Sequence, residues 1–166
     1  MGIGGRIWDG GLVLLEYLHH ANHCSKWRGK RCLELGSGTG VVGLGCALLG
    51  AEVCLTDLPE VTALLDFNLA LNRCRRSDLE RVEVRPFEWG SDVADLNPGS
   101  LDMVVMADLI YDVEPSKLLI ISLTSLASAN PDLLFLLAFR PRNVEDPDFF
   151  AELSEHFHIK QATVQR

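Results

Sequence analysis

The chain has 166 residues, 48% hydrophobic and 23% charged, enough to bury one core as a single domain over residues 1–166 and too apolar for a disordered segment. Its 23 acidic side chains outnumber 15 basic ones, giving a formal net charge of -8. That balance argues against binding to a nucleic-acid backbone and favours cationic partners. The N-terminus is glycine-rich, without the basic and apolar blocks of a signal peptide, and no apolar run is long enough to span a membrane. A cytoplasmic protein is expected, with the nucleus as a second compartment.

In chain order, apolar residues at helical spacing (Trp8, Leu12, Leu15, Leu18) predict a helix over residues 8–21, with Asp9 available as its cap. A short strand over 31–35 runs into Gly36-Ser37-Gly38-Thr39-Gly40, and a helix over 41–49 stops at Gly50. A second strand over 52–56 ends at Asp57, and Pro59 sits near the start of a helix over 60–72. Residues 81–87 alternate like a strand, 101–107 and 133–139 read as buried strands, and 116–127 lies between them as a helix. A helix over 148–156 and a sixth strand over 158–164 complete the set. This alternation specifies an α/β fold with a doubly wound parallel sheet. Ligands of such sheets bind outside the carboxyl ends of the strands, where the strand order reverses.

Three smaller clusters carry less. His19, His20, His23 and Cys24 include i, i+4 pairs but have no complementary second cluster, so no metal site is assigned. Arg73, Arg75 and Arg76 read as a solvated loop, and Arg140 and Arg142 follow the fifth strand near the expected mouth of the site. The five cysteines are odd in number, contain no CxxC and sit mostly in apolar segments, as free thiols do.

The glycine segment follows a strand and opens a helix, where glycines permit a tight turn and close backbone approach to a ligand. Gly38, Gly40 and Gly43 satisfy GxGxxG, and Asp57 lies where a dinucleotide-binding fold holds its ribose. That fingerprint alone does not choose between a dinucleotide and S-adenosylmethionine. Glu34, just before the first glycine, tilts the choice: a carboxylate suits a sulfonium-bearing zwitterion and repels a pyrophosphate. Asp57 can accept from both ribose hydroxyls.

Trp8-Asp9, residues 34–40, Thr56-Asp57-Leu58-Pro59, Trp89-Gly90 and Ala107-Asp108-Leu109-Ile110-Tyr111 occur in this order along nearly the whole chain. Together they resemble the methyltransferase-like family 21 group of protein-lysine methyltransferases, within the larger methyltransferase family 16. The resemblance implies a Rossmann-like seven-strand fold and methyl transfer from S-adenosylmethionine to a lysine side-chain amine of a protein. It further implies that Trp8 borders the cofactor, that Gly36, Ser37 and Gly38 line its methionine and ribose end, and that Asp57 holds the ribose. Trp89 would lie against the adenine, and Ala107 would touch the cofactor from the fourth strand.

Asp108 and Tyr111 match the family's acid-x-x-aromatic motif and become the catalytic candidates, orienting the lysine amine for in-line attack. The family's final antiparallel hairpin would lack its last strand here, leaving the fifth strand's edge open. Methyl transfer to a small molecule or another protein side chain remains an alternative, as does an inactive cofactor-binding module. The sequence makes no statement of oligomeric state.

Overall fold

The computed structural model describes residues 3–20, 27–141 and 146–162. Strands β1 (Arg31–Leu35), β2 (Glu52–Asp57), β3 (Val82–Pro86), β4 (Met103–Ala107) and β5 (Leu134–Ala138) form one sheet in the order β3-β2-β1-β4-β5. Every neighbouring pair is parallel. Among the described residues five α-helices accompany them: α1 (Asp9–His20), α2 (Val41–Leu48), α3 (Pro59–Arg73), α4 (Val113–Ala129) and α5 (Asp146–His156).

Both faces of the sheet are covered, which explains the nearly continuous apolar strands. Because side chains alternate along a strand, Leu33, Leu35, Val104 and Met106 face one core, shared with Leu119, Leu123 and Leu126 of α4 and Phe149 and Leu153 of α5. Cys32, Val53, Leu55, Met103 and Val105 face the other, with Leu14 and Leu18 of α1, Val42 and Cys46 of α2, and Leu65 and Leu69 of α3. Helices and strands fall where the apolar periodicity predicts, with ends differing by one to three residues in most cases.

The register brings the strand ends level: Leu35 pairs with Thr56 on one side and Met106 on the other. The strand order reverses at β1, between β2 and β4, so the glycine loop, Asp57 and Asp108 all emerge at one edge.

Several expectations change. The sheet has five strands among the described residues, not seven. The predicted sixth strand is absent over residues 158–162, and residues 163–166 lie outside the described part. Its described part has one large apolar residue, Ile159, which is itself exposed, so no buried face supports pairing. Asp9 is the first residue of α1, and its carboxylate pairs with Arg140 at 3.0 Å. Arg73 closes α3 rather than lying in the loop, and although exposed it donates through its guanidinium to the carbonyls of Leu79 (3.0 Å) and Val82, tying α3 to the start of β3. The four described cysteines are free; Cys24, His23 and Arg142 lie outside the described residues.

Candidate functional site

A cleft of about 620 Å³ opens at the carboxyl ends of β1, β2 and β4, a size that suits a small-molecule ligand. Each residue expected at the cofactor or substrate end of the site lines it: Trp8, Glu34, Gly36, Ser37, Gly38, Asp57, Trp89, Ala107, Asp108 and Tyr111.

The loop between β1 and α2 is fastened to β2 by its own backbone and one hydroxyl. The Ser37 amide donates to the Thr56 carbonyl at 2.9 Å, and the Thr56 amide donates to Ser37 Oγ at 3.0 Å. The Ser37 hydroxyl is therefore engaged inside the fold, leaving the loop backbone to form the wall of the cleft. Gly36 (φ 60°) and Gly38 (φ 54°) adopt left-handed conformations. A side chain at Gly36 would also strike Leu109, so both backbone and space require glycine there.

Asp57 at the end of β2 accepts from the Gly38 amide at 2.7 Å through one oxygen and from Leu58 at 2.8 Å through the other. It does not cap α3, which begins after Leu58 with Pro59 in its first turn. Burial raises its pKa despite these two donors. A carboxylate oxygen has room for a further donor, so two ribose hydroxyls remain within its capacity.

Glu34 is buried, and its carboxylate accepts from the Gly43 amide of α2 at 3.0 Å. Loss of hydration lifts its pKa to about 8, partly opposed by that amide and by Ser37. The acid is thus protonated at neutral pH. Gly43 is needed there because a side chain would collide with Leu55 and Glu34.

Trp89 follows β3, partly packed against the core and otherwise facing the cleft. It offers a flat apolar wall beside Gly36, suited to a purine. Ala107 ends β4, keeping that side of the cleft shallow.

Asp108 departs from the simple reading of a substrate-facing acid. It is buried, has a left-handed backbone (φ 57°), and binds backbone amides through both oxygens. Gly10 of α1 donates to one oxygen at 2.5 Å, and Arg140 beyond β5 donates to the other at 3.1 Å. The Asp108 amide returns a bond to the Ala138 carbonyl at 2.8 Å. Asp108 therefore ties the start of α1 and the end of β5 to the end of β4 while still lining the cleft. Tyr111 is 38% exposed at the mouth. Partial burial, Asp57 and Asp112 raise its pKa, so it carries a hydroxyl rather than a phenolate at neutral pH.

The structure adds a residue that the sequence reading passed over. Arg6 also lines the cleft, with its guanidinium carbon 4.9 Å from the centre of the Trp8 ring. The signal lay two positions before Trp8, but only the fold brings that segment over the glycine loop. There, Gly4 lies against Gly38 and Val61.

Comparison with known proteins agrees with this geometry. Residues 1–156 match the lysine methyltransferase family. Mouse EEF1A lysine methyltransferase 3 is 33% identical over 163 residues, covering 98% of this chain and 67% of its own length. Protein N-lysine methyltransferase METTL21A of Danio rerio is 35% identical over 162 residues, covering 97% and 72%. Among solved structures, the T. thermophilus 16S rRNA methyltransferase RsmC in complex with AdoMet and guanosine superposes with a TM-score of 0.63. It shares 22% identity and covers 92% of this chain and 39% of that one. The glycopeptide N-methyltransferase MtfA complexed with S-adenosylmethionine gives a TM-score of 0.57 at 21% identity, covering 78% and 54%. At such identity these two share the fold, a Rossmann-like methyltransferase architecture. The sequence matches extend to chemistry as well: the chain belongs to the lysine methyltransferase family.

Proposed function

We propose that the chain transfers a methyl group from S-adenosylmethionine to a lysine side-chain amine of a protein substrate. One observation carries this reading. The glycine loop and Asp57, suited to a nucleoside, share a single cleft with Asp108 and Tyr111, suited to an amine.

The residues present fit the donor. The left-handed glycines leave a cradle that side chains would fill, Asp57 keeps acceptor capacity for the ribose, and Trp89 supplies a wall for the adenine. Trp8, Gly36, Ser37, Gly38 and Ala107 would border the methionine and ribose end. Glu34 beneath the loop would gain its charge as cationic groups arrive. When bound, S-adenosylmethionine supplies an electrophilic methyl on sulfur, whose C–S bond breaks as the amine N–C bond forms.

This chain's part is positioning and proton handling. The incoming ammonium must lose a proton to water before attack, and the nearby positive charge of the donor lowers its pKa. The Tyr111 hydroxyl accepts an amine hydrogen and fixes the lone pair in line. Asp108 adds negative charge at the same end of the cleft while holding the walls in place.

Relatives named as protein-lysine methyltransferases support a protein as the acceptor. The net charge of -8 supports a basic surface around the target lysine. We place the work in the cytoplasm, with the nucleus as a second compartment, because free buried thiols such as Cys32 and Cys46 suit a reducing environment. Imaging of a tagged chain tests that placement.

Incubation of the chain with a cell lysate and methyl-labelled S-adenosylmethionine, followed by mass spectrometry of labelled peptides, tests the function. Label on lysine is the expected result. Tyr111→Phe should lower kcat by about tenfold, the size of one hydrogen bond to the amine. Label confined to small molecules or other side chains, or binding of a nicotinamide dinucleotide in place of S-adenosylmethionine, overturns the reading.

A further inference from the structure

The charges lining the cleft are unequal. Four carboxylates, from Asp57, Glu60, Glu88 and Asp108, line it together with the buried, protonated acid of Glu34, and Arg6 is the one cation among its described lining residues. S-adenosylmethionine carries a sulfonium, an ammonium and a carboxylate. The acids favour the first two and oppose the third. A glycine loop ordinarily meets an anion with its amides, but here several are already committed. The Ser37 amide donates to Thr56, the Gly40 amide to Ser37, and the Gly38 amide to the Asp57 carboxylate. The donor's carboxylate therefore needs a partner from elsewhere.

The segment before α1 supplies one. A short 3-10 turn, Ile3–Gly5, lays Gly4 against Gly38 of the loop and Val61 of α3. Three residues after Gly5, Trp8 lines the cleft, and Gly11 in the first turn of α1 reaches Ala107. Arg6 thus sits on a strap crossing from the ribose side of the cleft to the reaction side. The centre of the Trp8 ring lies 4.9 Å from the guanidinium carbon, and the N–H groups of a guanidinium form a planar fork that matches a carboxylate.

We propose that Arg6, shelved on the Trp8 ring, is the carboxylate clamp for the methionine end of S-adenosylmethionine and sets the specificity of the cleft for a donor with an intact amino acid. The inference rests on the assignment of this cleft to S-adenosylmethionine. It also gives Trp8 a second task, holding the guanidinium over the loop in addition to bordering the ligand.

Calorimetric titration of the chain with S-adenosylmethionine and with decarboxylated S-adenosylmethionine tests it without using turnover. The second ligand keeps the adenosine, the sulfonium and the amine and lacks only the carboxylate. The unaltered chain should prefer the intact ligand by about tenfold or more, the worth of a charge-assisted bond. Arg6→Gln should bring the two dissociation constants together by weakening only the intact ligand, Arg6→Lys should restore part of the preference, and Trp8→Leu should reduce it. Arg6 is exposed, so its variants should keep the thermal melt of the parent. A preference that survives Arg6→Gln overturns the proposal, as does equal weakening of both ligands. If the unaltered chain binds neither ligand, the S-adenosylmethionine assignment itself fails and the clamp falls with it.

Discussion

Glu34 shows how a residue legible in sequence can have a physical state that is not. An acid beside a glycine loop is visible in the chain, but its amide partner, Gly43, reaches it only because α2 packs closely on β1 and β2. Burial lifts the pKa from an ordinary 4.5 to about 8. Between those values the folded chain holds a proton that the unfolded chain has released, so folding stability declines as pH rises across the window. The contribution is fully present below 4.5 and lost as pH passes through about 8, on the order of a few kcal/mol. Glu34→Gln keeps an oxygen for Gly43 and has no proton to lose. Urea melts from pH 5 to 8 should therefore show a steady loss for the parent chain and a flatter profile for the variant; parallel profiles would contradict the buried, protonated acid. Arg6 and Asp108 were opaque for a related reason. Their roles depend on segments far apart in sequence, with 98 residues separating Gly10 from the carboxylate that accepts its amide.

At the level of elements, β4 and β5 could be read as apolar runs because both sheet faces are buried, whereas β3, at the other edge of the sheet, was legible from its alternation. The helices followed from their apolar stripes. The short 3-10 turns Ala94–Leu96 and Pro98–Ser100 could not be read, since three residues carry no period. The predicted sixth strand failed because its alternation was not backed by enough apolar surface. What joins the elements around the cleft is Asp108, which fastens α1 and the end of β5 to β4. Asp108→Ala would leave the buried Gly10 amide and the part-buried Arg140 amide without this acceptor and should cost about 2 kcal/mol. Asp108→Asn keeps one acceptor and tolerates the left-handed backbone, so it should cost clearly less. Urea denaturation of the two variants checks this order. Equal stability of Asp108→Ala and the parent would mean that the carboxylate does not fasten these elements.

Across the whole molecule, the acidic balance and the edge of β5, unpaired among the described residues, lead to separate consequences. A net charge of -8 together with an acid-lined cleft should draw basic protein surfaces, and salt screens that attraction as the Debye length shortens to about 8 Å at physiological ionic strength. KM for a basic protein substrate should then rise with added salt while kcat stays nearly constant; a salt-independent KM would assign recognition to apolar contacts instead. The same charge does not protect β5. This strand pairs only with β4 among the described residues, and its sequence Leu-Phe-Leu-Leu-Ala contains neither charge nor proline to deter a second strand. Phe157 of the segment after α5 covers Phe135, with ring centres 5.2 Å apart, but Leu134 at the start of β5 is 52% exposed. Backbone pairing between edges is short-ranged and apolar contact adds to it, so the net charge slows such encounters without removing their product. Sedimentation velocity over a range of concentrations should detect reversible association of the chain. Leu134→Lys, which places a charge at the exposed start of the edge, should shift the distribution toward monomer while leaving the thermal melt unchanged. Association that persists undiminished in that variant would locate the contact on another face.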